Sequence, residues 1–294
     1  MKIGILMGGP SAERNISLKT GKAVAIVCRE LGHEILELSF RTNYQKFLPL
    51  LRSTDLVFNA LHGTVGEDGI IQAWLDKNNI KYTGSGAFAS SLCMNKDKSK
   101  NVARSLGLLT PDWEIIHSID DVLSLNTPLV IKPNDQGSTV GLSIVRNINS
   151  KSEAINHAMQ YSDNIIAEKF VRGREITVTI LGEKVLPIVE IRSKHELYDY
   201  ECKYTPGMSE YICPAELGQY LTIEIQKDTK RLFKALECQV YGRADYLLDK
   251  EDKCFFLEMN TLPGMTSTSL VPISAKADGL SFIKLISCIL EMSL

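Results

Sequence analysis

Strand-like and helix-like patterns alternate along the first third of this 294-residue chain. Residues 2–7, 34–40 and 56–61 have the apolar character of strands, and residues 16–31 have a helical pattern that ends at Gly32. Glycine suits the left-handed position that follows many helices. Strands that alternate with helices are typical of a parallel sheet covered by helices. The sequence therefore predicts an α/β beginning.

Composition excludes several classes of protein. The 33 Lys and Arg residues nearly balance the 35 Asp and Glu residues, which gives a net charge of -2, and no block of like charges occurs. We therefore expect no nucleic-acid partner.

The apolar run at the N-terminus stops at Gly8, Gly9 and Pro10. It is too short for a secretion signal, and no other run has the roughly 18 apolar residues of a membrane span. We expect a cytoplasmic protein without a membrane partner.

The cysteines are scattered and form no C-x-x-C pair of the kind that holds zinc or performs redox chemistry. Free cysteines are among the most buried residues in proteins, so the sequence predicts structural thiols. The exceptions to consider are Cys202 and Cys213, which lie in a polar segment and are candidates for an exposed, oxidisable thiol.

The middle of the chain continues the mixture of strands and helices. Residues 95–107 predict a basic, solvated helix, and residues 129–132 and 164–168 predict strands. A capping-box pattern begins with Ser150 before the helix that lies between those strands. The β-branched runs 177–181 and 185–191 predict an antiparallel pair, so we expect the change from parallel to antiparallel pairing near this point.

Residues 193–218 lack hydrophobic periodicity and contain four tyrosines among charged residues, Pro206 and Gly207. A loop of this length inside a compact domain is usually a lid or a binding loop, or else it is disordered. Beyond it we predict a helix over residues 220–236, two strands over 239–248 and 254–260, and two short helices.

The last two strands are predicted to form a hairpin. If its turn is symmetric about residues 251 and 252, Asp245 lies opposite Glu258 and Arg243 lies opposite Asn260. Side chains alternate faces along a strand, so Glu258 and Asn260 share one side of the sheet.

Two facing carboxylates repel each other unless a cation lies between them. Asp245, Glu258 and Asn260 supply only oxygen ligands, which indicates Mg²⁺ or Mn²⁺ in preference to zinc. The ordinary alternative is a surface hairpin whose charges face water. The flanking strands are apolar enough to be central, which favours the metal site.

Two further loops have the composition of anion-binding segments. Residues 261–270 offer hydroxyls and backbone N–H groups that suit a carboxylate or an oxyanion, although Ser267 or Ser269 also fits a helix N-cap. Lys132 precedes a glycine and hydroxyl loop that can fold over phosphates, although this pattern taken alone favours a plain turn. Neither a P-loop nor a G-x-G-x-x-G motif occurs, so the sequence gives little support to a nicotinamide-binding domain.

The ordered set of motifs resembles that of the D-alanine:D-alanine ligases of the ATP-grasp superfamily, nearly from end to end. The motifs are GGPSAERNISL, HGTVGEDG, the stretch 95–100, VIKPNDQGSTVG, EKFVRGRE, YDYECKY, GRADY and LEMNTLPGMTSTSLVP. The resemblance implies an α/β (α+β) ATP-grasp fold. It places an N-terminal parallel-sheet domain at residues 1–95, a central domain at 96–175, and a C-terminal domain with the lid loop and metal site at 176–294, with the nucleotide between the latter two.

The resemblance also implies an activity. A ligase of this family uses ATP to join two D-alanines through a D-alanyl phosphate, for peptidoglycan precursor synthesis, and it needs two Mg²⁺ or Mn²⁺ ions. A homodimer is implied as well. The alternatives are another ATP-grasp carboxylate–amine ligase and a nucleotide-binding relative that has lost catalysis.

Site residues follow from the same resemblance. The implied ATP-binding residues are Lys96, Lys132 and Lys203 at the phosphates, Ser138 beside them, Glu168, Lys169, Phe170 and Val171 at the adenine, and Glu175 at the ribose. The implied metal ligands are Asp245, Glu258 and Asn260.

The remaining implied residues act on the amino acids. By the resemblance, Glu13 holds the ammonium of the first D-alanine, and His62 lies near it. Arg243 and the Gly264 amide stabilise the oxyanion, and Ser269 and Leu270 bind the carboxylate of the second D-alanine. Ser138 and Tyr204 link the central domain to the lid. Tyr204 stands where depsipeptide-forming relatives carry a histidine, which favours D-alanine over D-lactate as the second substrate.

Four positions depart from the family pattern. They are Asn95 in place of a common Asp, Gln136 in place of a common Glu, Leu262 in place of a small polar residue, and Thr268 in place of a frequent His. None of these changes removes an implied ligand.

Overall fold

The structure, a computed structural model, describes residues 1–196, 198–205 and 207–294, apart from the side chains of Tyr200 and Tyr204. The first elements are β1 (Lys2–Gly8), α1 (Arg14–Glu30), β2 (Glu34–Phe40), α2 (Leu48–Leu51), β3 (Leu56–Asn59), α3 (Ile70–Lys77) and α4 (Ala87–Met94). The three strands form a parallel sheet in the order β2-β1-β3. This confirms the α/β beginning that the alternating pattern predicts.

Helix α1 ends in a Schellman motif built on Gly32. This glycine has a φ of 80°, its N–H donates to the Arg29 carbonyl, and the N–H of His33 donates to the Cys28 carbonyl. Both carbonyls lack partners inside the helix, so the motif satisfies groups that would otherwise be unpaired. The left-handed position predicted for Gly32 is confirmed.

A second sheet occupies the middle of the chain, after helix α5 (Lys96–Ser105). Its elements are β4 (Trp113–Ile116), β5 (Leu129–Pro133), β6 (Ser143–Val145), α6 (Lys151–Met159) and β7 (Ile165–Lys169). The strand order is β4-β7-β5-β6, and every neighbouring pair is antiparallel. The expected position of the change to antiparallel pairing was therefore wrong. Strands β4 and β6 have only four and three residues, too few for an alternating pattern to be visible in the sequence.

Two local predictions in this part of the chain were also wrong. Ser150 is the N-cap of α6, but its hydroxyl donates to the Asn147 carbonyl at 2.8 Å and makes no capping bond with the helix. Helix α5 is not a solvated basic helix, because Lys96 is 5% exposed and Lys100 is fully buried. Both lysines have carboxylate partners, which allows their burial.

The third sheet carries most of the predicted site residues. Its elements are β8 (Arg174–Leu181), β9 (Lys184–Val185), β10 (Val189–Ser193), α7 (Tyr200–Tyr204), β11 (Ser209–Ile212), α8 (Gln219–Ala235), β12 (Tyr241–Leu248) and β13 (Cys254–Asn260). The strand order is β11-β10-β8-β12-β13, with β9 beside β8. The antiparallel pairing predicted for residues 177–181 and 185–191 and the predicted C-terminal hairpin are confirmed.

The segment predicted as a long loop, residues 193–218, contains regular structure. Helix α7 lies within it, and β11 extends the third sheet by pairing with β10 from Glu190–Ile212 to Ser193–Ser209. The short length of both elements explains why no periodicity marks them in the sequence.

The C-terminal helices α9 (Leu270–Ala277) and α10 (Phe282–Met292) return to the first sheet. Leu285, Ile286 and Ile289 share one buried core with Ile3, Ile5 and other residues of β1 and α1. The beginning and the end of the chain therefore support each other. The helices of the described ranges do not combine the length and apolar character that a membrane crossing requires. The division into three domains stays a prediction.

We expect Gly32→Ala to destabilise the protein, because an alanine at this φ is strained although no atom lies near its Cβ. The expected loss is about 1 kcal/mol, which lowers the Tm by about 2 °C in a chain of this size. Gly218→Ala is the matched control, since its φ is -60° and its Cβ also meets open space. Thermal unfolding of both variants measures the change in Tm. Equal Tm values would show that the left-handed conformation at position 32 does not require glycine.

Candidate active site

Two cavities share part of their lining. The larger has a volume of about 1290 Å³ and lies among α1, the loop before α9, and the segment around α7. The smaller has a volume of about 470 Å³ and lies between the second and third sheets. Both are lined by five common residues, which we call the junction: Gly137, Ser138, Tyr198, Lys203 and Glu258. A molecule in one cavity can therefore approach a molecule in the other at the junction.

The β12–β13 hairpin places Asp245 opposite Glu258 and Arg243 opposite Asn260, as predicted. The assumed centre of the turn is nevertheless wrong, because Tyr246 pairs with Phe256 and the pairs near the turn are symmetric about Glu251 alone. A β-bulge at Leu257 restores the predicted register at the site.

The bulge also changes which side chains point the same way. Phe256 is fully buried in the core, whereas the two adjacent residues Leu257 and Glu258 both line the smaller cavity. A regular strand would send neighbouring side chains to opposite faces. The irregularity thus adds an apolar contact beside the carboxylate.

Asp245 is held by three side chains. Arg243 donates from Nε and Nη2 to its two oxygens at 2.8 and 2.7 Å, Thr177 donates from Oγ1 at 2.7 Å, and Asn260 donates from Nδ2 at 2.9 Å. Two parallel bonds from a guanidinium fix both position and orientation of a carboxylate. The carboxylate, the amide and the guanidinium are therefore assembled as one group on two neighbouring strands.

Glu258 lies among positive charges at the junction. Lys96 approaches it at 3.2 Å and also donates to the Gln136 carbonyl at 2.6 Å. Burial alone raises the pKa of the Glu258 carboxyl, but three lysines lower it to about 2. These lysines are Lys96, Lys203 and Lys132. The carboxyl is therefore ionised at neutral pH and available to a cation.

Glu168 forms a buried triad with Lys100 and Lys132, whose Nζ atoms lie 2.7 and 2.8 Å from its oxygens. Burial alone raises the pKa of the Glu168 carboxyl, but the two lysines lower it to about 2. Lys132 also lines the smaller cavity. Sequence reasoning missed Lys100; the only available signal was a lysine one helical turn after Lys96.

The other residues predicted at the adenine and ribose also lie in the smaller cavity. Lys169, Phe170 and Val171 follow Glu168 along the end of β7, and Glu175 lies on β8. The pKa of the Glu175 carboxyl is raised to about 8, chiefly by burial, although the charge of Lys203 opposes the shift.

The carboxyl ends of the first-sheet strands supply a second polar group. Glu13 occupies the N-cap position of α1 without a side-chain capping bond, and its carboxylate accepts a hydrogen bond from the Ser138 hydroxyl, which joins this end of the sheet to the loop after β5. His62 is buried between Thr20 Oγ1 at 3.1 Å and Glu67 Oε1 at 3.3 Å. Burial alone lowers the pKa of the His62 imidazole, but the hydrogen bond and charge of Glu67, with the charge of Glu13, raise it.

Glu67 lines the larger cavity beside His62 and was not among the predicted site residues. Burial raises the pKa of its carboxyl. The sequence signal was its place in the segment Gly66–Gly69, at the same sheet edge as Glu13. A glycine-flanked acid of this kind also occurs in ordinary turns, and the residue types alone do not distinguish such a turn from a binding site.

The loop before α9 closes the larger cavity. Ser269 occupies the predicted N-cap position of α9, but its hydroxyl accepts from the Thr266 N–H at 3.0 Å and makes no capping bond with the helix. Gly264 lies next to it, because a Cβ at Gly264 would come within 3.0 Å of Ser269 Oγ. Gly264, Ser269 and Leu270 all line the cavity, as does Arg243.

The segment around α7 covers both cavities. The Tyr198 and Tyr211 hydroxyls are 2.9 Å apart, and Lys203 Nζ lies 5.1 Å from the Tyr198 ring centre. Such a position is favourable for a cation over an aromatic face. The predicted linking role of Tyr204 concerns a side chain outside the described part of the structure.

The departures from the family pattern are structurally mild. Asn95 caps α5 by accepting from the Lys98 N–H at 3.0 Å, a task that Asn performs as well as Asp. Leu262 is buried, Gln136 contacts Lys96 through its backbone carbonyl, and Thr268 is exposed.

The donor set around Asp245 and Glu258 fits a hard divalent cation. The carboxylates lie opposite each other, the Asn260 side chain touches Asp245, and neither His nor Cys is among them. Oxygen-only sets of this kind suit Mg²⁺ or Mn²⁺. Lysines and ordered hydrogen bonds hold the same oxygens in place, so the group is preorganised.

Comparison with known proteins identifies the family. The family described as "D-ala D-ala ligase C-terminus" matches residues 102–291, and "D-ala D-ala ligase N-terminus" matches residues 37–85. The D-alanine–D-alanine ligase of Aquifex aeolicus is 46% identical over 99% of this chain and 100% of its own length. That of Halalkalibacterium halodurans is 41% identical over 100% of this chain and 99% of its own.

Solved structures agree with these sequence matches. The ATP complex of the Bacillus anthracis D-alanine–D-alanine ligase has a TM-score of 0.85 and 33% identity, over 100% of this chain and 96% of that one. The VanG D-Ala:D-Ser ligase of Enterococcus faecalis has a TM-score of 0.87 and 25% identity, over 100% and 99%. The chain described here therefore has the ATP-grasp fold and belongs to the D-alanine–D-alanine ligase family.

Proposed function

We propose that this protein joins two molecules of D-alanine into D-alanyl-D-alanine and converts ATP to ADP and phosphate. The observation that carries the proposal is the junction, where a nucleotide-sized cavity meets a second cavity beside lysines and cation-binding oxygens. Family membership supplies the substrate, and the ATP complex of the Bacillus anthracis relative supports the nucleotide.

The chemistry explains why two cavities must meet. An amine does not displace oxide from a carboxylate, so the first D-alanine is converted to D-alanyl phosphate by the γ-phosphoryl group of ATP. The amine of the second D-alanine then attacks the acyl carbon, and phosphate leaves. Catalysis of both steps depends mainly on positioning and on stabilisation of charge.

The smaller cavity is the proposed ATP site. Phe170, Val171 and the bulged Leu257 provide apolar contacts for the adenine, and Glu175 accepts from the ribose hydroxyls. Lys132, Lys96 and Lys203 balance the charge of the phosphates, and Ser138 lies beside them at the junction. Glu168 orients Lys132 from inside the protein. Lys169 follows Glu168 in the chain and lies beside the base in the same cavity.

The larger cavity is the proposed amino-acid site. Glu13, with His62 and Glu67 beside it, receives the ammonium of the first D-alanine. Arg243 and the N–H of Gly264 stabilise the oxyanion that forms on the attacked carbonyl. Ser269 and the N–H of Leu270 hold the carboxylate of the second D-alanine at the start of α9, since the first N–H groups of a helix have no partner within the helix.

Asp245, Glu258 and Asn260 are the proposed ligands of two Mg²⁺ or Mn²⁺ ions. When bound, these ions neutralise charge on the transferring phosphoryl group. Arg243 and Thr177 hold Asp245 in place from the protein side, and Lys96 does the same for Glu258.

Further proposals follow from family membership alone. The protein works in the cytoplasm as a homodimer and supplies D-alanyl-D-alanine for peptidoglycan precursors. Its three domains span residues 1–95, 96–175 and 176–294. The segment around α7 acts as the lid that keeps water from the D-alanyl phosphate.

We expect the purified protein to release phosphate from ATP with D-alanine and Mg²⁺, and to form D-alanyl-D-alanine. L-Alanine cannot place both its ammonium at Glu13 and its methyl group in the same pocket, so it should give no release. D-Serine and D-lactate, each offered with D-alanine, test the second position. ATP binding without turnover would favour a silent relative, and turnover with other acids alone would favour another ligase.

Asp245→Asn and Glu258→Gln should each lower kcat by more than about 100-fold, because loss of a metal ligand costs more than loss of an outer partner. Glu251→Gln is the matched control, since Glu251 lies in the turn of the same hairpin and pairs only with the neighbouring Lys253 among the described residues. Mg²⁺-dependent ATP binding, followed by calorimetry, gives a second readout. Normal turnover in both variants would show the metal assignment to be wrong.

Lys100→Met should raise the KM for ATP by about tenfold, which corresponds to about 1.4 kcal/mol. The variant changes the charge of the Lys100–Glu168–Lys132 triad from +1 to 0 and therefore weakens its attraction for the phosphates. Lys98→Met is the control, because Lys98 is exposed on the same helix. Thermal unfolding separates this effect from loss of folded protein, and an unchanged KM in a folded variant would refute it.

A further inference from the structure

Three side chains of the segment that covers both cavities form a compact cluster of different donor atoms. His195, Asp199 and Cys202 each offer one ligand atom, and these atoms all lie within 4.8 Å of one another. His195 Nδ1 lies 2.8 Å from Asp199 Oδ2. None of the three belongs to the proposed magnesium set.

The cluster is held in place by the local backbone. Asp199 is the N-cap of α7, and its Oδ1 accepts from the Cys202 N–H at 2.9 Å. This bond fixes the carboxylate at the beginning of the helix that carries the thiol. His195 belongs to the chain that leads from β10 into the helix. The donors therefore come from two parts of the segment but are already close together.

The donor types identify the class of ion. A thiolate, an imidazole and a carboxylate suit zinc and similar ions, whereas Mg²⁺ prefers oxygen alone. The ionised thiol and carboxyl carry two negative charges, which neutralise a divalent cation. Three protein ligands leave one position of a tetrahedral site for water or substrate.

The distances require only small movements. Zinc bonds of about 2.0 to 2.3 Å place tetrahedral ligand atoms about 3.3 to 3.8 Å apart. The present limit of 4.8 Å is wider by roughly one ångström, which rotation of the exposed His195 side chain can remove. Cys202 is 1% exposed but lines the larger cavity, so an ion reaches the thiol from inside that cavity.

We propose that His195, Asp199 and Cys202 form a site for zinc or another thiophilic divalent cation, separate from the Asp245, Glu258 and Asn260 group. Binding forms one metal–sulfur, one metal–nitrogen and one metal–oxygen bond and releases the thiol proton to solvent. The ion ties the start of the segment to α7.

The location gives the ion a consequence for turnover. Lys203 follows Cys202 directly and belongs to the junction, and His195 and Tyr198 line the smaller cavity. An ion that joins His195 to Cys202 fixes this part of the segment in one position. We therefore expect micromolar zinc to slow turnover. This expected inhibition rests on the proposed ligase function, whereas the proposed metal site does not.

Cobalt(II) titration of the purified full chain tests the site without any assay of activity. A thiolate bound to Co²⁺ gives a charge-transfer band in the near ultraviolet, and no thiolate lies in the Asp245 group. We expect the band at one equivalent in the wild type. Cys202→Ala should abolish it, and His195→Ala should weaken binding by more than about tenfold, since even outer partners contribute that much.

Cys213→Ala is the matched control, because this thiol is half-buried in the same region but lies outside the cluster. It should retain the band. A wild type without the band, or a Cys202→Ala variant that keeps it, overturns the site. Zinc inhibition at saturating Mg²⁺ that is equal in wild type and Cys202→Ala overturns the effect on turnover. A band without ligase activity refutes the proposed function and leaves the metal site intact.

Discussion

The ionised carboxyls of Glu168 and Glu258 are the constraint on which the rest of the site depends. Glu168 is buried and Glu258 is partly buried, which opposes their charges, and lysines hold both carboxyls ionised with a pKa of about 2. A buried carboxylate without these partners would be protonated or would disrupt the fold. Of the lysines that satisfy the carboxylates, Lys96, Lys132 and Lys203 also face the proposed phosphates, whereas Lys100 is fully buried.

This arrangement requires three parts of the chain to meet. Helix α5 contributes Lys96 and Lys100, the second sheet contributes Lys132 and Glu168, and the third sheet contributes Glu258. None of these elements can bury its charges alone. The contacts that stabilise the junction are therefore the contacts that assemble the two cavities, and folding and site formation are coupled.

The sequence predicts the strongly patterned parts of this molecule well. Strands β1, β2, β12 and β13 have seven or eight residues each, long enough for a clear pattern. The predicted pairing of Asp245 with Glu258 is correct because the bulge at Leu257 offsets a one-residue error in the assumed turn. Burial of lysines is different, because Lys100 has the residue type and spacing of a solvated helix face. Its partner Glu168 is 68 residues away, and only the packed structure brings the two together. Short strands such as β6 carry too little pattern to be recognised.

The bulge at Leu257 lets strand β13 present an apolar side chain and the Glu258 carboxylate to the same cavity from adjacent positions. Removal of a bulged residue restores ordinary alternation, in which Phe256 stays in the core and Glu258 keeps its side of the sheet. The apolar wall of the smaller cavity can thus vary during evolution while the carboxylate beside it stays in position. The proposed contact with the nucleotide base and the proposed metal ligand therefore lie on adjacent residues that substitution can alter separately.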